Sequence, residues 1–163
     1  MKSPIRPTDE DAHALARELI DAARFAALAY TDKTNGAPMI SRVALVAGPE
    51  GAPLSLISDL SHHSAALQQN PVCSLLIGEP TGKGDPLTHP RLSLQATARF
   101  VRHGNAEHPA LAQAFLVKQP KAKLYIGFAD FALVRFTPLG ANLNGGFGKA
   151  YVLTAEDLAR AMR

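Results

Sequence analysis

Arg42 follows Ser41 inside the otherwise apolar run PMISRVALVAG, a cation set where a strand would present it among hydrophobic neighbours. Ser58 and Asp59 end the next apolar run, PLSLISDL, and Ser61-His62-His63-Ser64 follow at once. A strand arginine beside hydroxyls and the unpaired N–H groups of a helix start makes a site for an anion. An arginine pairing with a carboxylate at a sheet rim fits the same residues equally well. His62 and His63 read either as anion partners or as the solvated start of a helix.

The other chemistry-bearing residues are more scattered. Gly145-Gly146-Phe147-Gly148 comes near a nucleotide fingerprint but lacks its spacing and the helix that must follow. There is no nucleophile elbow and no paired cysteine motif. Adjacent histidines on a helix point about 100° apart, so His62 and His63 do not readily share one ion. His103, Glu107 and His108 are spread over a strand end and a turn, and no metal site is expected. Lys118, Lys121 and Lys123 in VKQPKAKLY read as a solvated loop, with a phosphate or partner patch as the alternative.

These residues need elements to position them. Apolar residues at helical spacing from Asp9 to Arg24 predict an amphipathic helix capped by Thr8 or Asp9. FAALAYTD and PMISRVALVAG flank an Asn35-Gly36 turn and predict a hairpin. PLSLISDL is a third strand, SHHSAALQQNP a short helix, and VCSLLIGE a buried strand. PTGKGDPLTHP is a loop by composition, while RLSLQATARFVRH alternates as a long half-buried strand. NAEHPALAQAFLVKQ predicts a helix and FADFALVRFTPLGANL a strand ending near Gly140. A Gly-rich turn then leads to a final helix capped by Thr154. Strands joined by hairpins outnumber crossover helices, which favours an antiparallel barrel or curled sheet over a doubly wound parallel one.

The 163 residues read as one domain, and 47% hydrophobic against 19% charged residues suits a single packed core. No apolar run reaches the roughly 18 residues of a membrane helix. The acidic, Pro-containing opening is unlike a secretory signal, and a lone Cys73 permits no intrachain disulfide; together these place the chain in the cytoplasm. A net charge of +3 without a Lys/Arg stripe favours a small anionic ligand over nucleic acid. Neither nucleic acid nor a membrane is expected as a partner.

The segments SRVALV, LISDLSHHSAALQQNPVCSLLIGE, GDPLTHPRLSLQATARF and YIGFADFALVRFTPLGANLNGGFGKA resemble, in order and spacing, the FMN-binding split barrels related to pyridoxamine 5'-phosphate oxidase. Within them they are most similar to the haem-utilisation (HugZ-like) group, from about Leu19 to Tyr151. The resemblance implies a mainly β (α+β) domain: a six-stranded antiparallel split barrel with peripheral helices, paired as a homodimer with cofactor sites at the interface. By position, Arg42 and Val43 match the strand segment whose arginine holds the flavin phosphate. Ser58 matches the hydroxyl residue ending the next strand. His63 and Ser64 fall at the phosphate-binding helix start, where the oxidases carry an Arg-Lys pair and this chain has His62-His63. Arg91 and Gln95 would reach the flavin ring from the partner subunit. The implied function is that of an FMN-binding, oxidoreductase-like dimer. Its alternatives are a haem-binding protein using the same cleft and a split-barrel dimer without cofactor. No histidine follows Gly148 to serve as an axial ligand from the tail.

Overall fold

The computed structural model describes residues 4–163. A two-residue strand β1 (Ile5–Arg6) precedes helix α1 (Glu10–Ala22), whose Asp9 cap accepts a hydrogen bond from the Ala12 N–H at 2.9 Å. Ala12, Ala16 and Ile20 recur on one face of α1, and all three are buried. The hairpin β2 (Phe25–Thr31) and β3 (Pro38–Ala44) follows, its loop held by the Asp32 carboxylate, which accepts from Thr34 and Asn35 N–H. Gly36 takes the positive φ of 74° that closes this loop.

Next come β4 (Val46–Ala47), β5 (Pro53–Ser58), α2 (His62–Gln69), β6 (Val72–Ile77) and β7 (Arg91–Val101). The chain ends with α3 (His108–Lys118), β8 (Phe131–Asn144), β9 (Ala150–Thr154) and α4 (Ala155–Ala161). The fold is therefore mixed α+β and mainly β, with four α-helices around one sheet. Nine strands are described, where six were expected. Two of them are two-residue strands, and the β1–β9 pair is parallel. The ladder runs β1-β9-β8-β7-β6-β2-β3, while β5 pairs with the first half of β8 and with β4.

Residue pattern explains most of this. Leu92, Leu94, Ala96 and Ala98 of β7 point into the core, and Ser93, Gln95 and Arg99 point out. Ala26, Leu28 and Tyr30 do the same on β2. The main core packs these residues against α1 and α4, and a second cluster gathers under α3 around Phe115, Leu111 and Leu133. Gly78 lets the end of β6 approach the start of β7. A Cβ there would lie 2.6 Å from the Pro90 carbonyl oxygen.

Three expectations need correction. β6 is half-buried, with Val72 and Leu76 exposed, because it pairs in mid-sheet with one face bare. β8 does not stop near Gly140. A bulge between its partners Gln95 and Ala96 absorbs Leu139, after which pairing resumes to Asn144. Pro138 falls at this irregularity, where a missing N–H costs little. The tail also holds a strand, β9, because Tyr151 and Leu153 alternate inward beside β8.

Thr154 and Asp157 form a reciprocal capping box at α4, and the same Asp157 carboxylate lies 3.3 Å from the buried His13 imidazole of α1. The Thr154 backbone, then its side chain, then His13 hold Asp157 below the usual carboxylate value of 3.8. Its stabilising contribution is full above that value and fades as pH falls through the lower folded one. Thr154→Ala removes the cap and is expected to cost about 1 kcal/mol in urea unfolding, with Thr154→Ser nearly neutral.

Candidate functional site

The chain from Pro38 to Ala47 serves two ladders in turn. β3 pairs with β2 as far as Ala44, and β4 then pairs with β5 from Val46. Leu45, fully buried between them, sends its N–H to the Arg24 carbonyl at 3.0 Å, and Ser55 Oγ donates to the Ala44 carbonyl at 2.6 Å. No ladder pair joins β3 to β5. A cavity of about 340 Å³ opens there, with Arg42, Val43 and Ala44 on one side and Leu56, Ile57 and Ser58 on the other. Ser61 and His63 from the start of α2 close one end, and Tyr125 and Phe131 form an aromatic wall with ring centroids 5.1 Å apart.

Arg42 has no carboxylate partner among the described residues; its guanidinium lies over the Phe25 ring at 5.4 Å. The alternative of a rim ion pair is thereby set aside. His63 is half-buried, edge-on to Tyr30 at 6.0 Å, and neither of its ring nitrogens has a protein partner among the described residues. Burial first, and the neighbouring His62 second, push its pKa below the usual 6.5. It is a neutral imidazole at pH 7. Ser61 provides no side-chain cap and its carbonyl takes the Ser64 N–H at 3.0 Å, so the His62 and His63 N–H groups keep their hydrogen-bonding capacity.

The cavity thus brings together Arg42, Val43, Ser58 and His63. Ser58 is committed: its Oγ donates to Asp130 at 2.6 Å and accepts from the Leu60 N–H at 3.1 Å. Ser64 does not face the cavity. It is fully buried, donating to Asp59 at 3.3 Å and accepting from Gln68 at 3.2 Å, because helical geometry turns it inward one residue after His63.

Arg91 and Gln95 lie away from this cavity but on the same outward surface as Arg42. The register Arg42–Ala27–Leu76–Ser93–Asn142–Val152 crosses six strands, and Ile40–Ala29–Ser74–Gln95–Gly140–Thr154 lies beside it. Three strand spacings separate Arg42 from Ser93, about 14 Å. One guanidinium nitrogen of Arg91 donates to the Leu87 and His89 carbonyls, at 2.9 and 3.3 Å, and holds the loop before β7.

Ser61, named in the sequence as part of the helix start, lines the cavity too, but nothing in the sequence pointed to Tyr125 and Phe131. Tyr125 stands in the segment KLYIGF, where the lysines drew attention; Lys118 lines a separate hollow with Arg17 and Asp21, and Lys121 and Lys123 are exposed. Among the described residues no three His, Cys, Asp or Glu side chains gather as a metal site. Cys73 is buried away from this cavity, and burial pushes its thiol up to about 12. No helix among the described residues is long and apolar enough to cross a membrane.

Comparison with known proteins adds four findings. The CREG β-barrel family model matches residues 7–159. The non-canonical heme oxygenase HOZ, chloroplastic, of Arabidopsis thaliana is 30% identical over 127 residues; the match takes in 78% of this chain but only 38% of the plant protein. A heme binding protein from Mycobacterium smegmatis is 30% identical with a TM-score of 0.82, over 96% of this chain and 62% of that one. In fold alone, the chain is also similar to a Clostridium acetobutylicum protein of the pyridoxinephosphate oxidase family. That likeness is 16% identical with a TM-score of 0.69, covering 93% and 99% of the two chains.

Proposed function

We propose that this chain, which belongs to the CREG β-barrel family, binds haem in the cavity between β3 and β5. The observation that carries this reading is a cation and an imidazole, both without hydrogen-bond or ion-pair partners among the described residues, beside an aromatic wall. Haem is a flat apolar ring with carboxylate arms and an iron that takes nitrogen ligands. Arg42 and the start of α2 would take a carboxylate, Tyr125 and Phe131 would lie against the ring, and His63 would supply the nitrogen donor. Bound haem would supply a redox-active iron. The Mycobacterium smegmatis and Arabidopsis thaliana names support haem over other flat ligands.

FMN is the second reading. The uncapped start of α2 beside Arg42 suits a phosphate, and the likeness to the pyridoxinephosphate oxidase family points the same way in fold.

The ring of antiparallel pairs through β2, β3–β4, β5, β8, β7 and β6 is on this reading the six-stranded split barrel. Its bare outward face would meet a second copy. Between Arg91 and Arg99, the outward residues of β6 to β9 include Val72, Leu76, Leu139 and Val152 with Ser74, Ser93, Gln95 and Asn142. None of these is ionisable, and all four apolar ones are at least 44% exposed. A two-fold pairing on this face would bring the partner subunit's Arg91 and Gln95 towards the ligand.

Haemin titration of the purified protein is expected to give a saturable Soret shift, and its absence would sink the haem reading. Arg42→Ala should weaken binding by about 1.5–3 kcal/mol, the scale of a charge-assisted hydrogen bond.

The pH dependence separates the two roles of His63. An iron ligand must be unprotonated, so haemin affinity is expected to hold above the lowered free pKa of His63 and to fall as pH drops through it. An anion partner gains from protonation, so FMN affinity would rise over the same descent and fade as pH climbs through the raised bound value. His63→Ala flattens whichever trend is real.

For assembly, light scattering should return twice the chain mass for the native protein and the single mass for Leu76→Glu. A native monomer at micromolar concentration would remove the paired site.

A further inference from the structure

The side chains of Ser61 and His63 line the cavity without hydrogen-bond partners among the described residues, the His63 ring resting only edge-on against Tyr30. What fixes them lies on either side. Before them, Asp130 accepts from Ser58 Oγ at 2.6 Å, and its carbonyl accepts from the Asp59 N–H at 2.7 Å. After them, Asp59 Oδ1 accepts from Ser64 Oγ at 3.3 Å and from Gln68 Nε2 at 3.5 Å, tying the first and second turns of α2 to one carboxylate.

That carboxylate is in turn gripped from a distant element. Arg102, just past the end of β7, donates through both terminal nitrogens to the two Asp59 oxygens, each at 2.8 Å. The guanidinium also lies 5.7 Å from the Phe100 ring, so its direction is set by its own strand. A two-point fork fixes the orientation of its partner as well as its distance, which a lysine ammonium does not do. Asp59 responds accordingly: the Arg102 hydrogen bonds are the largest influence holding its carboxyl below the usual value.

We propose that Arg102 is a positioning residue for the cavity, acting through Asp59 and α2 to hold Ser61 and His63 against the ligand space. Arg102 does not line the cavity itself. The inference rests on reading that cavity as the binding site, but its first test needs no ligand.

The start of α2 is what this arrangement holds, so the order of its backbone is the readout. Amide hydrogen exchange, measured without ligand, reads it directly. Arg102→Ala is expected to speed exchange severalfold at the amides of Ala66 and Leu67, whose helical acceptors are the His62 and His63 carbonyls, while β6 and β7 keep their native rates. Arg102→Lys and Asp59→Asn should give smaller increases. Unchanged exchange in α2 of the folded variants would overturn the proposal, and so would equal acceleration throughout the sheet. Should Arg102→Ala fail to fold, the two conservative variants decide it by the same criterion.

Haemin binding supplies an independent check. Arg102→Ala should weaken affinity about tenfold in the native background and less than about twofold in His63→Ala, a coupling within the usual range for residues acting through one another. Equal losses in both backgrounds would mean that Arg102 merely supports the fold, and the positioning role would be lost. Failure of the native protein to bind haemin at all would sink the haem reading and leave hydrogen exchange in α2 to judge Arg102.

Discussion

Leu45 carries the chain from one β-ladder into another, and the cavity exists because of that transfer. Up to Ala44 the strand is paired with β2, and from Val46 it is paired with β5. The step is held by a buried side chain and by hydrogen bonds to the Arg24 carbonyl and from Ser55 Oγ. Had β3 itself paired with β5, backbone bonds would fill the space that Arg42 and Ser58 now border. The site is an interruption of pairing that the surrounding core tolerates because Leu45 itself is packed.

Polar groups at this interruption are treated unequally. Ser58, Asp59, Ser64, Gln68, Asp130 and Arg102 satisfy one another, and they make the loop before α2 a fixed structure. Arg42 and His63 are left with unspent capacity in the same neighbourhood. Arg42 is exposed and the His63 ring nitrogens are not shut away from solvent, so both are open to a ligand. Their isolation beside Tyr125 and Phe131 is what gives the cavity its chemical character: one permanent cation, one neutral nitrogen base and a flat apolar wall.

The outward face of the sheet has a different logic. α1 and α4 cover one core and α3 the other, but among the described residues no helix covers β6, β7 and the second half of β8 on the outside. The bulge at Leu139 keeps the alternation in phase beyond it, so that Asn142 and Asn144 face out and Ala141 and Leu143 face in. Were Leu139 paired regularly rather than bulged, the alternation beyond it would be reversed and Asn142 and Asn144 would replace Ala141 and Leu143 in the core. An irregularity in one strand therefore preserves both the core and the composition of the bare face.

Local physics determined most of the elements and little of the site. The 3.6-residue spacing of Ala12, Ala16 and Ile20, the alternation of β7, the Asn35-Gly36 turn and the Thr154 cap are all nearest-neighbour effects, and they were legible in the chain. So was the association of Arg42, Ser58 and His63, because strand, loop and helix start succeed one another there. Invisible were the contributions that cross large separations: Tyr125 and Phe131 reaching the cavity from beyond α3, and Arg102 gripping Asp59 across 43 positions. The bulge and β9 were missed for the same reason, since their residues become a strand only when β7 and β8 offer a partner. Ser64 shows the converse limit. Sequence placed it at the right helix start, but whether a side chain on that first turn faces ligand or core depends on how α2 is rotated against β2, and only tertiary packing sets that rotation.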